Sequence, residues 1–63
     1  MKFRQARRLL DLSQKQIEEK TGIYQVKISR IERGKVNPTI FERRKLEQAL
    51  NLPGGINWEF SNE

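Results

Sequence analysis

The side chains of this 63-residue sequence that could do chemistry are cations and amides rather than nucleophiles. There is no His and no Cys, no glycine-rich phosphate loop, and the eight Asp and Glu are scattered without a pairing motif, so acid–base, covalent and thiol–metal chemistry have no visible carrier and an enzyme is not expected. What remains is non-covalent recognition. On a helix with Ile28 set to zero at about 100° per residue, Val26, Arg30 and Arg33 fall near 160°, 200° and 140°. That stripe offers two forks of N–H donors and one methyl surface, away from Ile28 and Ile31. The charge points to an anionic partner: residues 1–35 carry ten basic and four acidic side chains, net +6, and residues 36–63 carry three and four, net −1. A basic half in a chain of pI near 10.1 suits a polyanion, or a solubilising surface.

The elements that must position this stripe are short. Gly22, Gly34, Pro38 and Pro53-Gly54-Gly55 divide the chain into segments of about ten residues, which predicts a small all-helical bundle forming a single domain over residues 1–63. In the first segment, Phe3, Ala6 and Leu10 share a stripe with Arg7 on its edge, about 40° from Phe3. Ser13 with Gln16 fits a capping box that opens a second helix over Gln14 to about Thr21, stopped at Gly22. The third segment, about Tyr24 to Arg33, buries Ile28 and Ile31 and puts Glu32 on the stripe's edge. The half-buried Arg7 and Glu32 are thereby expected to pair.

Thr39 with Glu42 marks another capping box, followed by a helix from Ile40 to Leu50. Leu46, Ala49 and Leu50 share a face, but Ile40 and Phe41 lie off it, so the first turn packs separately or the helix bends. Ile56-Asn57-Trp58-Glu59-Phe60 alternates apolar and polar, a strand pattern in isolation. No apolar run exceeds two residues, which predicts no membrane span and no secretory signal and places the chain in the cytoplasm. Two short helices joined at Gly22, the second with a basic outward stripe, describe a helix-turn-helix over about residues 13–33.

The run Leu12-Ser13-Gln14 through Ile17, Gly22-Ile23, Gln25, Ile28-Ser29-Arg30-Ile31-Glu32 and Gly34-Lys35 resembles the Cro/C1-type, or Xre, family of helix-turn-helix repressors. The likeness continues through Pro38, Leu46, Ala49-Leu50 and Leu52, and so covers about residues 5–60. The resemblance implies the lambda repressor-like fold of four or five helices, with the third, about residues 24–33, in the major groove of double-stranded DNA. It implies base contacts from Gln25, Val26, Lys27 and Arg30, and phosphate contacts from Gln14, Arg33, Lys35 and Asn37; the Tyr24 hydroxyl, where the family has no tyrosine, is expected to reach a phosphate as well. It also implies a structural ion pair between Arg7 and Glu32, no cofactor and no metal. The chemistry of these groups fits: Gln bonds adenine N6 and N7, Arg bonds guanine O6 and N7, and Val touches a thymine methyl.

The chain departs from the family's pattern at Glu18 and Glu47, where a small residue is usual, and at Arg43, where an apolar one is usual. Either these stems lie over the core and reach water or the helices cross more widely. Tyr24 replaces the usual Ser, Thr or Asn cap of the recognition helix. The resemblance also implies a last helical turn at residues 56–60, against the strand pattern, and we favour the turn. The expected assembly is a homodimer on a near-palindromic site, with Trp58 and Phe60 at its surface. Lys2, Arg4 and Arg8 form either a phosphate-touching face or a soluble one. The alternatives are an antitoxin or protein-interaction module on the same fold, which would bring a protein partner, and, more weakly, RNA binding, which the narrow major groove of RNA disfavours.

Overall fold

The computed structural model describes residues 1–55 and 57–60. Among these residues four helices follow one another, α1 (Phe3–Leu9), α2 (Gln14–Thr21), α3 (Gln25–Glu32) and α4 (Ile40–Ala49), and a 3-10 turn occupies Pro53–Gly55. Both expected capping boxes close reciprocally. The Gln16 N–H donates to Ser13 Oγ at 3.1 Å and the Ser13 N–H donates to Gln16 Oε1 at 2.8 Å. At α4 the Glu42 N–H donates to Thr39 Oγ1 at 3.2 Å, and the Thr39 N–H to Glu42 Oε1 at 2.8 Å. Each pair satisfies two of the amides that a helix start leaves unbonded.

The core gathers Phe3, Ile17, Ile23, Ile28, Ile31, Leu46, Leu50 and Phe60, at the spacings the helical periods require, with Leu10, Leu12, Ala49 and Trp58 packed against it. The segment after the 3-10 turn departs from expectation. Residues 57–60 form no helical turn; Ile56 lies outside the described residues. Glu59 pairs with Lys2 in an isolated parallel bridge, in which the Phe3 N–H donates to Glu59 O at 3.1 Å and the Glu59 N–H donates to Met1 O at 2.9 Å. The period of two thus reports a real alternation: Trp58 and Phe60 turn inward and Glu59 turns out.

This bridge closes the bundle with aromatic packing. Phe60 is buried against Phe3 and Trp58, with ring centroids 6.1 and 4.9 Å away, and Trp58 meets Phe3 edge-on at 5.6 Å. The Trp58 indole N–H donates to Leu50 O at 2.8 Å, so its polar handle is used internally as well. Phe60 is therefore not available as a dimer contact. The Arg43 guanidinium lies 4.9 Å from the centre of the Phe60 ring, so the cation that stands where an apolar residue is usual is accommodated by placing its charged head over an aromatic face of the core. Ile40 and Phe41 neither pack separately nor bend the helix. They face solvent, 62% and 72% exposed.

The expected pair of Arg7 and Glu32 exists, and a second arginine joins it. The Glu32 side chain has no exposed surface, and the Arg7 side chain is 13% exposed. Arg7 grips the carboxylate with both sides of its fork, Nε to Oε2 at 2.9 Å and Nη2 to Oε1 at 3.0 Å, while Arg4 Nε donates to Oε1 at 2.7 Å. Arg7 Nη1 also donates to Leu12 O at 2.9 Å, across the turn in which Asp11 takes the left-handed conformation (φ 56°). One guanidinium thus fastens α1 to the turn before α2 and to the end of α3. Lys2 bonds Glu59 at 2.8 Å and Arg4 bonds Glu32, so neither belongs to a purely solvated face. Among the described residues no helix is long and apolar enough to cross a membrane.

Burial pushes the Glu32 carboxyl up, but the hydrogen bonds from Arg7 and Arg4 outweigh it and hold the group below its ordinary value of 4.5. A folded-state value below the unfolded one means that the stabilisation is complete above the ordinary carboxylate range and disappears as pH falls through the folded-state value. Thermal unfolding followed from pH 7 to pH 2.5 should therefore show a melting temperature that declines below about pH 4.5. In Glu32→Gln the melting temperature should start lower, by the equivalent of about 1 to 3 kcal/mol, and decline less steeply. Parallel curves for the two proteins would contradict this role.

Candidate nucleic-acid interface

The helix-turn-helix is built by its turn. Gly22 closes α2 at φ 77°, and its N–H donates to Glu18 O at 2.7 Å. Nothing lies within 4 Å of where a Cβ would stand, so glycine is required here by backbone conformation and not by space. Thr21 stiffens the same turn from inside: its hydroxyl donates to Ile17 O at 2.7 Å and accepts from the Ile23 N–H at 3.2 Å. Ile23 is buried, which anchors the chain before it enters α3.

α3 buries Ile28, Ile31 and Glu32 and turns its opposite side outward. Val26 is 64% exposed on that outward side. Between this side and the start of α2 lies an open cleft of about 290 Å³ lined by Gln14, Gln25, Val26, Ser29 and Arg33. Four of these five were expected from the sequence to touch DNA. Ser29 was not, although it stands one helical turn after Gln25 and so had to share its side. Arg33 leans back along the helix, Nε donating to Ser29 O at 3.4 Å.

The other expected contacts are distributed around this cleft. Arg30 is exposed and does not line it, and no side-chain hydrogen bond or ion pair holds Arg30 among the described residues. Tyr24 is 79% exposed at the head of α3 and forms no cap with its side chain. Lys35 and Asn37 are exposed in the connection to α4, which is shaped by Gly34 at φ 75° and by the Lys35 N–H donating to Arg30 O at 2.8 Å. Lys27 is engaged elsewhere. Its ammonium lies 2.8 Å from Glu42 Oε2, while the other oxygen of the same carboxylate closes the α4 capping box. The hydrogen bond from Lys27, then that from the Thr39 backbone, holds the Glu42 carboxyl below its ordinary value. Lys27 therefore ties α3 to α4.

The cleft and its surroundings can present two amide side chains, a methyl surface and two guanidinium groups to a ligand, with the amide-rich start of α2 at one edge.

A family model described as helix-turn-helix matches residues 3–56, which span α1 through the 3-10 turn. No curated protein and no solved structure matches the chain.

The start of α2 carries Gln14 to the cleft, and the Ser13 hydroxyl fixes that start. Ser13→Ala should cost about 1 kcal/mol in denaturant unfolding and speed amide exchange in the first turn of α2, whereas Ser13→Thr should cost a fraction of that. Unaltered exchange in Ser13→Ala would show that the cap does not hold this turn.

Proposed function

The chain belongs to the Cro/C1-type helix-turn-helix family, a family of DNA-binding regulators, and from that premise we propose that it is a repressor that binds a near-palindromic duplex as a homodimer. The observation that carries this reading is the cleft in which Gln14, Gln25, Val26 and Arg33 meet beside the outward face of α3. A helix of this length fits the major groove, and its first residues reach base edges there. Gln25, Val26 and Arg30 read bases: adenine N6 and N7, a thymine methyl, and guanine O6 and N7 respectively. Lys27 joins them at the cost of its bond to Glu42. Gln14 binds phosphate with the start of α2 behind it, and Tyr24, Arg33, Lys35 and Asn37 fix the register on the backbone.

One copy of so small a domain offers too little surface for tight specific binding, so two copies place their third helices one turn of DNA apart, about 34 Å. With Phe60 turned into the core, the adjacent Ile40 and Phe41, two of several exposed large apolar side chains, support contact with a second copy. The same two residues are what supports the second reading, an antitoxin or interaction module that uses them to hold a different protein. The site of action is the cytoplasm.

Selection from random duplex DNA at physiological salt, followed by sedimentation with the recovered sequence, tests the proposal. A two-fold motif bound by two chains is the expected result; recovery of no motif would contradict it. On the selected duplex, Arg30→Ala should relax the preference at one base pair per half-site. Lys35→Ala should instead weaken all sequences alike and reduce the slope of log affinity against log salt by about one. An unchanged preferred sequence in Arg30→Ala would remove Arg30 from the reading surface.

A further inference from the structure

α3 begins without a cap of its own. Tyr24 occupies the capping position with φ −59° and ψ 140°, its side chain makes no cap hydrogen bond, and the first turn of α3 contains no acidic residue. A helix start leaves its first amides without intrahelical acceptors and concentrates partial positive charge there. Glu18, in the middle of α2, reaches across the turn to this end: its Oε2 accepts from the Gln25 N–H at 3.3 Å. The other oxygen accepts from Lys15 Nζ at 3.0 Å, one helical turn earlier, and the side chain is only 22% exposed. Glu18 is one of the positions at which the family usually has a small residue, and Tyr24 is the position at which it usually has a capping one. The two departures meet at one amide.

We infer that Glu18 is the positioning residue of the reading helix, capping α3 from α2 in place of Tyr24 and so fixing the first turn that presents Gln25 and Val26 to DNA. The DNA half of this inference rests on the function proposed above; the cap itself does not. The Lys15 ammonium orients the carboxylate toward the amide, so the cap is a chain of three groups, Lys15, Glu18 and Gln25. The hydrogen bond from Lys15, then that from the Gln25 backbone, holds the Glu18 carboxyl below its ordinary value, and the cap stays charged at neutral pH. Because Gln25 and Val26 are the first two residues of α3 and both line the cleft, loosening that turn moves the reading groups directly.

The test compares the wild type with Glu18→Ala, Glu18→Gln and the double variant Glu18→Ala with Tyr24→Ser. Alanine is a good helix former and is common at this position in the family, so these chains should fold. Amide exchange at Gln25 and Val26 and affinity for selected and random-sequence duplexes are measured on each. In Glu18→Ala, exchange at Gln25 should accelerate about three- to tenfold. Affinity for the selected duplex should fall by a similar factor, and affinity for random duplex should change by less than about twofold. Glu18→Gln, which keeps an acceptor, should stay close to wild type in exchange, and Tyr24→Ser should restore both exchange and selectivity by supplying a local hydroxyl cap. Unchanged exchange in Glu18→Ala, equal loss on both duplexes, or no rescue by Tyr24→Ser would overturn the inference. If the wild type itself shows no sequence preference, the proposed function fails and the positioning role with it, while the exchange measurements still decide the cap.

Discussion

The fold hangs on one buried carboxylate. A bundle of 63 residues with no cysteine and no histidine gains little from burial alone, since the core that a chain of this length can build offsets its conformational entropy only narrowly. Glu32 sits inside that core with no exposed surface. Unpaired, it would cost more than the domain has to spare. Paired with Arg7 and Arg4, it converts the liability into geometry: α1, the turn before α2 and the C-terminal end of α3 all meet one network of donors and acceptors. Such a network admits few alternative arrangements, so it fixes the angle at which α3 leaves the bundle, and that angle is what a groove-binding helix must control.

Charge in this chain does two different jobs. Of the cations in the first half, Lys2, Arg4, Arg7, Lys15 and Lys27 are spent on Glu59, Glu32, Glu18 and Glu42 inside the chain. Arg30 and Arg33, on or beside the outward side of α3, are in no such ion pair among the described residues. The net charge of a half-chain therefore overstates the field that reaches a ligand, while the placement of the remaining guanidinium groups next to the amides of Gln14 and Gln25 sharpens it. The helices are short, and each start is secured by a neighbouring side chain, from Gln5 at α1, Ser13 and Gln16 at α2, Glu18 at α3, and Thr39 and Glu42 at α4.

Local signals were legible in the sequence because they act over three or four residues. Ser13 with Gln16 and Thr39 with Glu42 announce two helix starts, Gly22 ends α2, and simple periodicity finds Ile28 and Ile31 as well as the edge positions of Arg7 and Glu32. What stayed hidden depends on three-dimensional neighbours. Arg4 reads as a surface cation until α3 brings Glu32 to it, and the tie between Lys27 and Glu42 shows only once α4 is packed beside α3. The tail misled in the same way: Trp58 and Phe60 belong to the core because the bridge between Lys2 and Glu59 lays the segment along the start of α1, and that pairing spans nearly the whole chain. The candidate site was legible in its membership on α3 and at Gln14; the inclusion of Ser29 and the absence of Lys27 from the cleft came from the packing.

The central claim is that the outward side of α3, together with Gln14, is the surface that meets DNA. Amide NMR shifts recorded while a short duplex is titrated into the folded protein test it most directly, because every backbone position reports at once. The account predicts that the largest changes fall on Gln14, on residues 24–30 and on residues 33–37, with α4 beyond its first turn unaffected. Changes concentrated on the far side of α4 or on α1, with α3 silent, would contradict it.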